Sequence, residues 1–413
     1  MSGVCVTVGE KSGDFRGNTS KIIQGAVDYV SSFGGGTVKI LEGSYLMYDA
    51  VHLRSHITLS GSGPDKTVLR MQSPVLSPLT QTSGYGEKEV YLAKPDGFEP
   101  GRGVQVMDDA AQGFHSTVAT ILAKRNGGII TICTPLNMNC FVKRNAFAGT
   151  VHSAVEATEC ADIRVDGIGI RGMEDMEVVL DGCRGGGIYL YRTRNSVIEN
   201  CLVEDFPGDG ISFQSSDDII INNVCCRNNM EKGIHPGSGS KRPVIRNSLI
   251  TGNGNAGVYF CWNVKHGRLD ACTVKGNRDC GISIGHRDTD NRLTQNEVYA
   301  NTGPGIEFRN EDAIHAAHRT TVEGNTIYGN GSDEKPYQIY VRGGTDDVLI
   351  LKNLISRSHS DGKNPGQTGS VRQQVYGIFL GADTGEVHVE GNKFTDIPEA
   401  DQVIFEGKNE VTK

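Results

Sequence analysis

The chain has 413 residues, 37% of them apolar, with a formal net charge of −8, 54 glycines, 11 cysteines and one tryptophan. No basic stripe marks a nucleic-acid surface, and no apolar run approaches the length of a membrane-spanning helix. That much glycine without a Gly-X-Y period, beside strong local alternation, predicts many turns and short strands rather than long helices.

The opening "MSGVCVTVGEKSGDFRG" lacks an apolar core of signal-peptide length, which points to a cytoplasmic protein or a trimmed secreted or periplasmic one. Residues 1–72 then carry an amphipathic stretch, "KIIQGAVDYVSSF", expected as an N-terminal cap helix, followed by the first short strands. Residues 73–150 alternate as strands but without a long-range period, so they are expected as an inserted β-rich segment able to wall a cleft. The 11 cysteines show neither a CxxC pair nor a zinc spacing, and most are expected as reduced, buried small residues, so no metal site and no cofactor are assigned.

From residue 151 to 413 a repeat takes over. Gly187, Gly210, Gly233, Gly257, Gly281 and Gly305 each open a Gly-Ile-x-apolar strand, at intervals of about 23 or 24 residues, the mark of a solenoid. Longer loops are expected after residue 310, where the strand recurs at Ile339 and Ile378. A second strand in each repeat ends on an Asn (Asn200, Asn223, Asn247, Asn296, Asn325 and Asn392, with Cys272 standing in once). Such residues tolerate left-handed backbone and can bond to the copy in the next coil. The expected fold is all-β, a right-handed parallel β-helix with three strands per coil.

The N-terminal "GGGTV" turn, the "G-x-Y" that follows and the "L-x-S-x-I-x-L" coil in "VHLRSHITLSGSG" resemble the opening of the pectate-lyase-like right-handed parallel β-helix superfamily of carbohydrate-active enzymes. The resemblance implies the architecture and a carbohydrate-related role. It does not choose a chemistry, since the superfamily holds lyases, hydrolases, epimerases and noncatalytic spikes.

Alternation predicts which residues of the Gly-Ile strands face outward. One column reads Tyr189, Ser212, His235, Tyr259, Ser283, Glu307 and Tyr340, and beside it runs Tyr191, Gln214, Gly237, Cys261, Gly285, Arg309 and Arg342. The adjoining turns add Arg192, Trp262, His266 and His286. Aromatic rings among hydrogen-bonding groups suit sugars, and Gly237, Ser283 and Gly285 are expected to leave a hollow. Tyr189, Tyr259, Trp262, His266, Gln214, Arg192 and Arg342 are therefore candidate substrate-binding residues.

His235, Asp288, Glu311, Glu307, Arg309 and His286 are the catalytic candidates. Asp288 and Glu311 fall one coil apart, and stacked coils can supply the carboxylate separation of about 5–9.5 Å that glycosidases use, so glycoside hydrolysis of a bound poly- or oligosaccharide is the first expectation. The alternative is a polysaccharide lyase or C5-epimerase acting on uronic acids through His235, Tyr259 and Arg309. A noncatalytic glycan-binding or structural β-helix is the third. No stacked carboxylate row supports a Ca²⁺ ion between protein and sugar. The expected partner is a saccharide, with no nucleic acid and no membrane, and the expected state is a monomer or homotrimer.

Overall fold

The computed structural model describes residues 3–173, 178–358 and 375–406. It divides into two compact units, Met1–Thr193 with Cys201–Ser212, and Arg194–Asn200 with Phe213–Lys413. Each is built of short parallel strands stacked in three faces, the right-handed parallel β-helix expected from the repeat.

In the first unit, helix α1 (Ser20–Ser31) buries Ile23, Ala26, Val27 and Val30 at helical spacing and packs on the strands Val4–Gly9 and Gly36–Ile40. A solenoid end otherwise exposes apolar surface, which this face covers. The glycine run before the second strand is sterically required, because a Cβ on Gly36, at φ +148°, would lie 2.1 Å from the Val4 carbonyl oxygen. The first parallel face pairs Val38 with Leu59, and the same Ile57–Ser60 strand pairs with Arg164–Asp166. The second face runs Gly43–Leu46, Thr67–Arg70, Gly169–Arg171 and Leu202–Glu204. The third pairs Val51–His52 with Val155–Thr158, and that strand with Ile188–Tyr191.

Residues 73–150 enter between the second and third faces of one coil. They form a six-stranded antiparallel sheet, in the spatial order Leu76–Pro78, Phe147–Gly149, Gly103–Met107, Thr117–Arg125, Ile129–Ile132 and Glu89–Tyr91. Its own core gathers Val90, Phe98, Val104, Val106, Ile121 and Ile130. Antiparallel pairing explains why the period vanished here, since hairpins need no coil-length return.

In the second unit the coils repeat with a shift of 24 residues over much of their length. The pairs Ile221 with Ile245, Ile245 with Leu269, and Leu269 with Leu293 stack one inward column. Another face stacks Ile250, Val274, Val298 and Ile327. Phe213, Phe260 and Phe308 are fully buried on the Gly-Ile face, and each such burial contributes about 1.5–3 kcal/mol.

Asn side chains form two ladders. Asn296, Asn325, Asn353 and Asn392 join Nδ2 to Oδ1 at 2.8–2.9 Å, and the Cys272 amide donates to Asn296 at the head of the row. A second ladder, which the pattern reading missed, runs through Asn229, Asn253, Asn277, Asn301 and Asn330. Asn200, Asn223 and Asn247 sit at left-handed bends (φ +51° to +52°), one residue ahead of the row that continues through Asn296; Asn223 Nδ2 donates to Asn200 Oδ1 at 2.7 Å, and Asn247 Nδ2 to Asn222 Oδ1 at 3.0 Å. No helix among the described residues is long and apolar enough to cross a membrane.

Candidate functional site

The second unit carries all six catalytic candidates, but not as an open column. His235, Ser283 and Glu307 are buried, while Tyr259 and Tyr340 are half-buried. Arg309 lies over Ser283 and Tyr259. Its Nη1 donates to Ser283 Oγ at 2.8 Å, and its Nη2 donates to the Cys261 carbonyl at 2.8 Å and to Asp288 Oδ2 at 3.2 Å. The guanidinium also lies 4.5 Å from the Tyr259 ring centre, and the Tyr259 ring meets His235 edge-on at 5.4 Å.

The hollow expected at Gly237 and Gly285 is therefore filled. A Cβ on Gly285 would approach Arg309 Cβ to 2.8 Å, and one on Gly237 would overlap the Gln214 amide at 2.0 Å. These glycines make room for long neighbouring side chains, which occupy the space that a sugar was expected to take. Burial pushes the Tyr259 hydroxyl above its ordinary pKa, a shift that Arg309 partly opposes.

Asp288 is fully enclosed and closes its own turn. Its Oδ1 accepts from the Val264 amide at 2.8 Å and its Oδ2 from the Gly285 amide at 2.9 Å. Burial raises its pKa to about 7, against the pull of Arg309 and the two amides. Glu311 is not its partner across a cleft; it faces His286 instead. Glu307 is likewise enclosed, paired with Arg342 and with Lys335 Nζ at 3.4 Å, and Arg342 lies 4.7 Å from the Tyr340 ring centre.

What stays accessible is a cluster at the turns. Trp262 is 49% exposed, and its ring centre lies 3.8 Å from that of His286 at a 53° tilt. His286 Nδ1 is 3.0 Å from Glu311 Oε1, and the His286 and His315 ring centres are 5.6 Å apart. Asp312 in turn holds His315 Nδ1 at 2.8 Å. His286 and the exposed Arg287 are consecutive non-glycine residues in the left-handed region, at φ +43° and +66°. Backbone of this kind costs energy and often marks a working turn. His266 stands apart at another bend, where its charge helps to lower the pKa of Asp290, after the larger effect of the Arg319 hydrogen bond.

Tyr189 and Arg192 belong to the first unit. Tyr189 is buried and its hydroxyl donates to the Cys183 carbonyl at 2.7 Å; Arg192 pairs with Glu159 at 2.9 Å. Tyr189 borders a cavity of about 350 Å³ between the inserted sheet and the third face of the coil. At its wall His52 sits between two carboxylates, with Nδ1 2.7 Å from Glu156 and Nε2 3.4 Å from Asp49; Asp49 also accepts from Thr120 Oγ1 at 2.6 Å. Burial disfavours the charged ring, but the two carboxylates outweigh it and raise the His52 pKa to about 10.

Pattern reading missed this group, although the signal was present. His52 and Glu156 are register partners, as are Glu156 and Tyr189, so the outward column extends back through both. The insertion separates them in sequence and hid the continuation.

Both units thus define a right-handed parallel β-helix protein with polar, aromatic-bearing turns. In fold it is similar to the A-modules of two mannuronan C-5 epimerases of Azotobacter vinelandii. AlgE6 gives a TM-score of 0.61 at 15% identity over 91% of this chain and 82% of that one. AlgE4 gives 0.59 at 15% identity over 94% and 88%. The Dettilon tailspike protein gp208 is also similar, at 0.57 and 14% identity over 91% of this chain and 58% of the tailspike. Likeness at such identities establishes the fold alone. No curated protein sequence matches the chain. Residues 161–374, just over half of the chain, match the family described as periplasmic copper-binding protein (NosD), and the chain belongs to that family.

Proposed function

We propose that the protein acts on a uronic-acid-containing polysaccharide and moves the C5 proton of a bound uronate, by epimerisation or by β-elimination. The observation that carries the reading is the exposed Trp262 ring against His286, with Glu311 on Nδ1 of the same imidazole. An indole face suits the C–H face of a pyranose. A carboxylate on Nδ1 orients the ring, favours the tautomer with its proton on Nδ1, and stabilises the imidazolium that forms when Nε2 takes a proton. Arg287, next in the chain and exposed, is suited to neutralise the sugar carboxylate as negative charge builds at C5.

Glycoside hydrolysis needs two carboxylates facing the scissile bond. It draws less support, because Asp288 is bonded to the Gly285 amide of its own turn and the Val264 amide of the neighbouring coil, and Glu307 within its ion pairs. The fold is shared with epimerases that act on mannuronan, which agrees with the proposal without carrying it.

The test is turnover of oligomannuronate and oligogalacturonate in D₂O. Epimerisation puts deuterium at C5, and elimination gives the ultraviolet absorbance of an unsaturated uronide; the rate of either should fall by about 10²–10⁴-fold in His286→Gln. Because Trp262 is the single tryptophan, its fluorescence reports binding at this cluster. New reducing ends without deuterium or absorbance would sink the proton-transfer reading in favour of hydrolysis.

A second reading follows from the family description, which names copper. Copper favours imidazole and thiolate donors. In the second unit a ring nitrogen of the buried His235 and the Cys261 thiol lie within 4.8 Å of each other, so the two fit part of such a ligand set. Bound copper would supply redox capacity there, and the proton transfer above does not pass through it. Competition for Cu(I) against a chromophoric chelator checks this, with the affinity expected to fall in a His235→Ala, Cys261→Ser double variant.

A further inference from the structure

The cavity of the first unit plays no part in the proposal above, and its wall has a definite chemistry. Two carboxylates, Asp49 and Glu156, face two cations, His52 and Arg184, so the formal charges of the lining cancel. Arg184 is held in place: its Nε and Nη2 donate to the Phe114 carbonyl at 3.0 and 2.6 Å, and its guanidinium lies 5.1 Å from the Phe114 ring centre. His52 is fixed between its two acids. A ligand with a full charge of either sign therefore meets a compensated wall and gains little from it.

The remaining lining combines apolar Val118 and Ala119 with hydrogen-bonding and aromatic side chains. Thr134 and Asn137 stand on the side of the inserted sheet, and Tyr189 and Tyr191 on the coil side. His152 is also there, buried, with its Nδ1 2.7 Å from the Ser153 carbonyl. A carbonyl can only accept, so Nδ1 carries the proton and Nε2 remains an acceptor. Burial keeps this ring neutral, its pKa held below the ordinary value. Hydrogen-bonding side chains thus stand beside tyrosine rings in one lining, the combination that hydroxyl groups and C–H faces of sugars satisfy together.

We propose that this cavity is a second ligand site, taking a neutral, hydroxyl-rich molecule such as the end of an uncharged oligosaccharide. Its volume of about 350 Å³ lies at the small end of ligand pockets and suits about one or two sugar rings rather than a long chain. The site is independent of the uronate reading, because its lining lies wholly in the first unit and Trp262 lies in the second.

The experiment is calorimetric titration of the full chain with cellobiose, maltose, mannobiose and N-acetyllactosamine, with Trp262 fluorescence followed in parallel. At least one disaccharide is expected to bind near one per chain while the fluorescence stays unchanged. Tyr191→Ala, which removes a stacking ring, should weaken binding at least tenfold, and Trp262→Ala should leave it intact. Thr134→Val, which loses only a hydroxyl, should weaken binding several-fold and serves if Tyr191→Ala does not fold. Absence of heat with all four sugars overturns the proposal. So does binding that survives both cavity variants, or binding lost in Trp262→Ala. Failure here leaves the deuterium experiment untouched, and failure there leaves this one untouched.

Discussion

Replacing Asp288 separates a structural carboxylate from a chemical one. Its two oxygens, out of contact with solvent, receive the Val264 and Gly285 amides and one arm of Arg309. Asp288→Ala strands both amides and leaves Arg309 without its counter-ion. A stranded buried donor costs about 1–3 kcal/mol, and removal of one partner of a buried ion pair costs about 3–5 kcal/mol. These costs overlap at one residue, so a total of about 4–5 kcal/mol is expected, measured as a fall in urea midpoint at constant slope. Asp288→Asn keeps one carbonyl oxygen as acceptor and should cost about half as much. The pH dependence has a definite sign as well. The folded pKa is about 7, above the 3.8 of a free carboxyl, so the folded state binds the proton more tightly. That contribution is fully present below pH 3.8 and is lost as pH rises through 7, a slope that Asp288→Asn should flatten. Unchanged stability in both variants, together with abolished turnover in Asp288→Asn, would refute this account and restore Asp288 as a catalytic acid.

His286→Gln should lower turnover of a uronate substrate by about 10²–10⁴-fold with little change in binding, measured as a kcat loss beside an unaltered Trp262 fluorescence titration. His52 titrates with the opposite origin, because its folded pKa of about 10 reflects two anionic partners. Its stabilisation is fully present below pH 6.5 and lost as pH rises through 10, so His52→Gln should remove a decline in melting temperature seen on the alkaline side. Asn277→Ala breaks the second ladder in its middle, stranding the Asn253 backbone amide and leaving the Asn253 side-chain amide with the Cys226 carbonyl alone; a loss of about 2–4 kcal/mol in chemical unfolding is expected. Gly285→Ala should displace Arg309 and break its bonds to Ser283, the Cys261 carbonyl and Asp288, read as a lower urea midpoint.

Much of the architecture was legible because a solenoid writes its period into the chain. The glycine spacing, the inward Phe213, Phe260 and Phe308, and the cap helix with Ile23, Val27 and Val30 all follow from residues that meet their own copies at a fixed offset. Ladder formation was only half readable. Asn296 and Asn325 were recognised from their place at the end of a strand, whereas Asn253, Asn277 and Asn301 lie just beyond the next one, where side-chain direction depends on how the bend is made. At the candidate site, alternation correctly marked which residues leave the core, but leaving the core is not the same as meeting solvent. Arg309 and Gln214 are long enough to fold back over Ser283 and Gly237, and no periodicity encodes that reach.

By itself, then, the sequence determined the coil, its stacking register and the set of side chains on its outer face, since these rest on local alternation and a repeat of constant length. Only the tertiary structure decided which of them are usable. It enclosed Asp288 and Glu307 in hydrogen bonds and ion pairs, and it left Trp262, His286 and Glu311 together at an accessible turn. It also brought Asp49, His52, Thr120, Glu156 and Tyr189 to one cavity across an insertion of independent strand pattern. The physical reason is the same in each case. Burial and pairing of a polar group depend on whichever long side chain or inserted sheet reaches it in space, and that is set by contacts between residues far apart in the chain.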